Sequence, residues 1–195
     1  MKTTTPRYLT HQLLIAMPHM DDPQFAQTLI YLIEHSPGGA TGLIINRPSS
    51  VTLADILEQV RPQPEPSALS QHIGIHSGGP VQTERGFVLH PKCSSEYAAT
   101  LQLGTLNLTS SQDVLFAIAE GEGPEHYLIA LGYSGWNAGQ LERELADNAW
   151  LTCPLEDEQL FDILFKQPDE QRLQSAAQRL GVTNLNLLSS QVGHA

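Results

Sequence analysis

The fold is decided by residues 131–151, which read LGYSGWNAGQLERELADNAWL. Residues 126–131 (HYLIAL) are apolar enough to predict a strand, and Gly132 and Gly135 predict the turn that ends it. Residues 138–148 then predict a helix. The segment therefore indicates a compact strand, turn and helix.

The predicted helix has a hydrophobic face and a capping signal. Leu141 and Leu145 are four residues apart, so they lie on one side of the helix. Asn137 and Gln140 have the spacing of a capping box, in which the glutamine side chain reaches back to the N–H of the cap residue.

The N-terminal part of the chain predicts strands and tight turns. Residues 11–17 form an apolar strand, and Asp22 followed by Pro23 predicts a helical turn. Residues 28–33 and 40–46 flank a Ser-Pro-Gly-Gly turn and predict an antiparallel hairpin. Local pairing of strands is therefore expected.

An amphipathic helix and a proline-rich loop follow the hairpin. Apolar residues at 53, 56, 57 and 60 give the stripe of a helix that begins after Thr52. Residues 61–70 (RPQPEPSALS) hold three prolines, which prevents regular hydrogen bonding and predicts an exposed loop. This loop is either a plain connector or a partner-binding segment, and its short length favours the connector.

The middle of the chain predicts three strands and one helix. The strands are residues 72–76, 86–90 and 101–108, the last of which alternates apolar and polar residues. A capping box at residues 109–112 precedes a helix over 113–120. Two further helices follow at the C-terminal end, near residues 160–165 and 173–180.

The order of these elements favours an α+β fold with a mixed, mostly antiparallel sheet, because strands occur in hairpins as often as they alternate with helices. The length of 195 residues suits one core, so we expect one domain over 1–195. The longest apolar run, Val114–Ala119, is far too short to span a bilayer, and the cysteines at 93 and 153 lack zinc spacing. A soluble protein of the reducing cytoplasm is expected.

The chain is acidic, with 10 Lys and Arg against 21 Asp and Glu and a net charge of -11. DNA binding draws most of its affinity from neutralising phosphates, so direct contact with nucleic acid is disfavoured. The acidity otherwise predicts a well-solvated surface.

Several separate motifs, in order, resemble the bacterial YqgE/AlgH family over nearly the whole chain. They lie at residues 14–23, 34–48, 78–90, 132–151 and 193–195. The resemblance implies a single α+β domain whose bifurcated sheet folds into a pseudo-barrel with flanking helices. It also implies a link to transcriptional regulation of alginate production in pseudomonads, and no established reaction. One departure is Ile33, where members often have a cysteine.

Two arginines and nearby aromatic residues suggest a pocket for a small anionic ligand. Arg47 and Arg85 each lie where a strand meets a turn, and the glycines of 132–135 could present free amides beside a helix N-terminus. The alternative pairs these arginines with Glu34 or Glu142. The predicted ligand-binding residues are Asn46, Arg47, Arg85, His90, Tyr133 and Trp136.

Other chemistry is weakly indicated. Tyr133, Trp136 and Trp150 could stack on a flat ligand, but aromatic residues more often fill a core. His72 and His76, four apart on a strand, are too distant to share a metal ion.

An acid–base pair drawn from Glu34, His35, His90 and Glu142 is conceivable if the fold gathers them. Cys93 and the serines that follow it lack the glycines that present a nucleophile. The leading interpretation is a non-catalytic cytoplasmic regulator that binds a protein partner or a small anionic ligand, without a cofactor or metal. The alternative is an enzyme that uses a His/Glu pair.

Overall fold

The computed structural model describes residues 8–60 and 67–185. In these residues the α-helices are α1 (Leu53–Val60), α2 (Asp113–Glu120), α3 (Gln140–Ala146), α4 (Asp157–Phe161) and α5 (Asp169–Arg179). The strands are β1 (Leu13–Ala16), β2 (Leu29–Ser36), β3 (Gly39–Ile44), β4 (Pro48–Thr52), β5 (Gly74–Ser77), β6 (Val81–Pro91), β7 (Thr100–Leu103), β8 (Leu106–Thr109), β9 (Leu128–Asn137) and β10 (Trp150–Cys153).

The strands form one curled sheet in the order β10-β1-β2-β3-β9-β6-β8-β7, with β4 and β5 as a branch. Strand β9 is the branch point, because it pairs antiparallel with β3 and β6 and parallel with β5. Every other pairing in the described chain is antiparallel. The prediction of a mixed, mostly antiparallel α+β fold is confirmed, with the sheet curled into a half-barrel.

Three hydrophobic clusters fix the helices against this sheet. The largest joins α4, α5 and the π-helical turn Asp162–Lys166 to the strands. A second joins α3 to β1, β2 and β10, and a third joins α1 and α2 to β5, β6 and β9. None of the helices in the described residues is long and apolar enough to cross a bilayer.

The N-terminal predictions agree closely with the structure. Strands β2 and β3 form the predicted hairpin. The Asp22 carboxylate caps the turn that begins at this residue, before β2, because it accepts the Gln24 N–H at 2.9 Å. Helix α1 begins after Thr52, whose N–H and hydroxyl donate to the Asp55 carboxylate at 2.7 and 2.8 Å. Residues 61–66 of the predicted proline-rich loop lie outside the described residues.

The segment after residue 131 differs from its prediction, because β9 continues to Asn137 and the helix begins at Gln140. Gly132 has a φ of 71°, and a Cβ there would lie 2.5 Å from the carbonyl oxygen of Gly79. Gly132 therefore serves a close approach of two backbones inside the sheet, and neither Gly132 nor Gly135 forms the predicted turn, because both lie within β9. Part of the predicted capping box is present, since the Gln140 side chain accepts the Asn137 N–H at 3.0 Å.

Three smaller predictions are also corrected. The predicted strand 101–108 is a hairpin of β7 and β8, which turns at Gly104 with a φ of 63°. His72 lies in a short 3-10 helix, and the strand begins at Gly74. Helix α2 has no side-chain cap from Gln112.

Candidate functional site

Asn46 and Arg47 follow β3 and hold the loop that leads into β2. Asn46 accepts the Leu29 N–H at 2.8 Å and donates to the Gln27 carbonyl at 2.9 Å. The Arg47 guanidinium donates to the carbonyl oxygens of Gln24 and Ala26. Arg47 is therefore engaged by backbone oxygens and not by the carboxylates of the alternative prediction.

His90 is fully buried in β6. Its Nδ1 lies 2.8 Å from the Pro91 carbonyl oxygen, so Nδ1 carries the proton, and Nε2 accepts from the Thr109 hydroxyl at 2.9 Å. Burial lowers the pKa of His90 below its usual 6.5, and the Pro91 carbonyl opposes this in part. His90 is thus a neutral core histidine with both ring nitrogens occupied.

Trp136 and Trp150 are buried and meet edge-to-face, with ring centroids 5.9 Å apart. Both indole N–H groups donate to Oε2 of Glu144, each at 2.8 Å, and Gln140 donates to the other oxygen at 2.9 Å. The aromatic residues therefore fill a core around one carboxylate, as the alternative to a stacking platform predicts.

Arg85 and Tyr133 both contact Phe87. The Arg85 guanidinium lies 5.1 Å from the centroid of the Phe87 ring, and Tyr133 meets the same ring edge-to-face at 6.1 Å. Arg85 is exposed, and its guanidinium donates to the neutral Gln82 side-chain amide at 3.3 Å. Among the described residues, no carboxylate lies within ion-pair distance of Arg85.

Arg85 lines a cavity of about 240 Å³ between β6, α1 and the start of α2. Residues 110–112 form its second polar wall, and its apolar lining includes Val88, Leu115 and Leu131. Of the six predicted ligand-binding residues, Arg85 alone lines this cavity in the part of the chain that the structure describes. The six side chains do not share one pocket, which corrects the prediction, because Asn46, Arg47, His90 and Trp136 are bonded inside the protein.

The structure gathers one of the conceivable acid–base pairs. His35 Nε2 lies 3.0 Å from Glu142 Oε1, and the His35 side chain is only 3% exposed. Its Nδ1 accepts the Leu9 N–H at 3.0 Å, so Nε2 carries the proton and donates to the carboxylate. Glu34 is exposed and His90 belongs to a different cluster.

The Glu142 carboxylate accepts hydrogen bonds that stabilise its charged form. Its own backbone N–H, and then the hydrogen bond from His35, lower the pKa of this carboxyl group. Its second oxygen, Oε2, is buried without a hydrogen-bond partner in the described part of the chain.

A polar cluster of one buried arginine and two half-buried side chains joins α5 to the sheet and was not predicted. His76 Nε2 lies 2.8 Å from Asp169 Oδ1, and Arg172 lies 2.6 Å from the same oxygen. Arg172 also donates to the Ile45 carbonyl oxygen. Within residues 8–60 and 67–185, no group of three or more His, Cys, Asp and Glu side chains is arranged to hold a metal ion.

Comparison with known proteins places this architecture in a family. The AlgH-like family model matches residues 13–185. The chain belongs to the AlgH-like family. A UPF0301 protein of Pseudomonas fluorescens strain Pf-5 is 63% identical over 195 residues and covers both chains fully. The UPF0301 protein AlgH of Pseudomonas aeruginosa PAO1 is 62% identical, also over the full length of both.

Two solved structures share the AlgH-like fold. The solution structure of AlgH from Pseudomonas aeruginosa matches with a TM-score of 0.80 and 61% identity, covering both chains fully. The crystal structure of DIP2367 from Corynebacterium diphtheriae matches with a TM-score of 0.65 at 21% identity, covering 97% of this chain and 94% of that one. The second likeness concerns the fold alone.

Two features of this AlgH-like chain carried no clear signal in the sequence. His76 and Asp169 are 93 residues apart, so only the fold brings them together. Tyr31 lies within an apolar strand whose sequence is typical of a hydrophobic core. Its hydroxyl is nevertheless buried without a hydrogen-bond partner among the described residues. A tyrosine among aliphatic strand residues was the one available signal, since a buried hydroxyl ordinarily finds a hydrogen-bond partner.

Proposed function

We propose that this protein is a non-catalytic cytoplasmic regulator that binds a small ligand with an anionic head group at Arg85. The supporting observation is the cavity of about 240 Å³ in which an exposed guanidinium faces an apolar lining. A guanidinium held by backbone oxygens within the protein would be a structural element, as Arg47 is. Arg85 retains donors that a carboxylate or phosphate can accept.

The walls of the cavity specify the ligand further. Arg85 would bind the head group, with the hydroxyl of Ser110 on the opposite side, next to the positive end of α2. Val88, Leu115 and Leu131 would cover a short apolar body. Glu84 also lines the cavity, and its negative charge favours a monoanion over a dianion. Tyr133 would act indirectly, by supporting Phe87 under the guanidinium.

A regulatory role is proposed from the family. The AlgH protein of Pseudomonas aeruginosa is a full-length relative at 62% identity, and the family resemblance ties its members to control of alginate production. The net charge of -11 opposes direct contact with DNA, so we propose that regulation is indirect and passes through the ligand or a protein partner.

A titration with matched probes tests the ligand site. Hexanoate and hexyl phosphate should shift the backbone amide resonances of Gly86 and residues 110–112, and hexylamine should not, because only the anions pair with Arg85. Arg85→Gln should weaken binding by about tenfold or more, since one charge-assisted contact is lost. Arg179→Gln, on the exposed end of α5, is the matched control and should bind as the unmodified protein does.

The same titration can refute the proposal. Equal shifts with hexylamine would show that the guanidinium does not select the charge. Unchanged hexanoate binding in Arg85→Gln would remove the residue from the site, and no saturable shift with either anion would remove the site itself.

A second candidate function is an enzyme that uses the His35/Glu142 pair, which is favoured by the 3.0 Å contact between them. Such a pair could transfer a proton from a substrate near the open side of Glu142. A broad activity screen tests it: turnover that disappears in both His35→Gln and Glu142→Gln, while both variants remain folded, would support the enzyme. Turnover that survives in both would eliminate it.

A further inference from the structure

A second cavity lies on the opposite side of the sheet from α1, where β2, the turn between β7 and β8, and the start of α4 come together. It has a volume of about 220 Å³. Its polar lining includes His11, Gln12, Tyr31, Thr105 and Asp157, and Leu160 forms part of its apolar lining. Arg85 does not line this cavity, so it is separate from the anion site proposed above.

Tyr31 is one of the residues that line this cavity. The residue is 0% exposed, and its hydroxyl has no hydrogen-bond partner in the part of the chain that the structure describes. An unsatisfied buried hydroxyl destabilises the fold, whereas phenylalanine would pack the same ring without that cost. The hydroxyl is therefore suited to contact something that enters the cavity.

His11 stands beside Tyr31 in an unusual backbone conformation. Its φ is 68°, in the left-handed region that residues with side chains seldom adopt. The hydrogen bond from its N–H to the Leu32 carbonyl, at 2.8 Å, ties it to β2. Its imidazole lies nearly parallel to the Tyr31 ring, with centroids 6.3 Å apart. The strained backbone conformation of His11 thus places its imidazole in the lining of the cavity.

The charge of the cavity is negative. Asp157 lines it, and Glu156 and Glu158 are its neighbours in the chain, while no Lys or Arg is among the lining residues of the described chain. Burial and then the charge of Asp157 raise the pKa of the Tyr31 hydroxyl well above its usual range, so the phenol stays protonated. An anion would be repelled here, and a cation with N–H donors would find both a carboxylate and a neutral phenol oxygen.

We propose that this cavity binds a small organic cation, a primary ammonium compound, between the Tyr31 hydroxyl and the Asp157 carboxylate. The ammonium donates to both oxygens, and a short aliphatic part lies against Leu160. Gln12 and Thr105 line the rim and offer further polar contacts.

Amide-resolved NMR titrations with butylamine, butyrate and butanol test this proposal. The three probes share an apolar part and differ in the charge of the head group. Butylamine should produce saturable shifts at Gln12, Gly104 and Thr105 with an affinity of about 1 mM, which suits so few atoms. Butyrate and butanol should produce no saturable shift at these amides.

Two variants and one control locate the contacts. Tyr31→Phe and Asp157→Asn should each weaken butylamine binding by about tenfold, because the first removes the phenol oxygen that accepts from the ammonium and the second removes the negative charge that attracts it. Tyr31→Phe should remain as stable as the unmodified protein or become more stable, since it removes an unsatisfied hydroxyl. Tyr127→Phe changes a half-buried tyrosine away from the cavity and should bind normally. Arg85→Gln should also bind normally.

Three results would overturn the inference. Butyrate or butanol binding as well as butylamine would show that charge is not selected. Full affinity in Tyr31→Phe would show that the hydroxyl takes no part. The absence of any saturable butylamine shift would leave a cavity that holds only water.

Discussion

Two arginines show how differently this fold uses the same side chain. Arg172 on α5 is buried, and it contacts Asp169, His76 and the carbonyl of Ile45. Arg85 on β6 is exposed, stacks on an aromatic ring and makes one hydrogen bond to a neutral amide. The first region is closed and the second is open. A closed polar cluster stabilises the native state, whereas an open one keeps donors for a ligand.

The largest effect is expected for Arg172→Met. Burial lowers the pKa of Arg172 and the Asp169 charge opposes this, so the guanidinium depends on its partners. Removing it leaves Asp169 without its cation, and the free energy of unfolding should fall by about 3 kcal/mol. Urea denaturation followed by circular dichroism measures this. Arg179→Gln should change the free energy by less than about 0.5 kcal/mol. If Arg172→Met lowers the free energy of unfolding by less than about 1 kcal/mol, the proposed contrast between a structural Arg172 and an open Arg85 is wrong.

Glu144→Ala tests a second closed cluster. It leaves the indole N–H groups of Trp136 and Trp150 buried without an acceptor, so the free energy of unfolding should fall by about 2 kcal/mol. Glu144→Gln keeps one acceptor and should lose about half as much. The same denaturation measurement applies. Equal losses in both variants would show that the shape of the side chain matters here and its oxygen does not.

His90 predicts a smaller effect that depends on pH. Its pKa is lowered in the folded protein, so the unfolded chain binds a proton first as the pH falls. The stability contributed by His90 is complete above pH 6.5 and declines as the pH falls from 6.5 toward the folded pKa. As the pH is lowered from about 8 to 5, the urea midpoint of His90→Gln should therefore fall less than that of the unmodified protein. His19→Gln, an exposed histidine, should follow the unmodified protein.

The smallest effect on stability belongs to Arg85→Gln. Because the side chain is exposed and has no charged partner in the described residues, the free energy of unfolding should change by less than about 0.5 kcal/mol. Urea denaturation and the hexanoate titration, made on the same sample, separate a role of Arg85 in stability from a role in ligand binding. A loss of more than about 1 kcal/mol would make Arg85 a structural residue like Arg172.

Local sequence signals predicted the elements that depend on local contacts. The β2–β3 hairpin has its Pro-Gly turn, and α1 has both an apolar stripe and the Thr52–Asp55 cap. The β7–β8 hairpin was missed because both arms alternate apolar and polar residues and were taken as one strand, although the pattern shifts by one position at its turn, where Leu103 and Leu106 are three residues apart.

The structural roles of Gly132, Arg47 and Arg85 depend on partners that are distant in the sequence. Gly132 reads as a turn, but it is required by the backbone of Gly79, which lies 53 positions earlier in the chain. Arg47 is bound by carbonyl oxygens, which every residue carries and no sequence pattern marks. Arg85 was expected where a strand meets a turn, but it lies inside β6, and its cavity partners at the start of α2 required the fold.

The shared carboxylate of Glu144 has a practical consequence for folding experiments. The protein contains two tryptophans, and both indoles donate to this one side chain. Intrinsic fluorescence therefore reports on a single corner of the molecule, beside α3 and β10, while circular dichroism reports on the whole backbone. Coincident urea curves from the two probes would show that this corner unfolds together with the rest of the sheet.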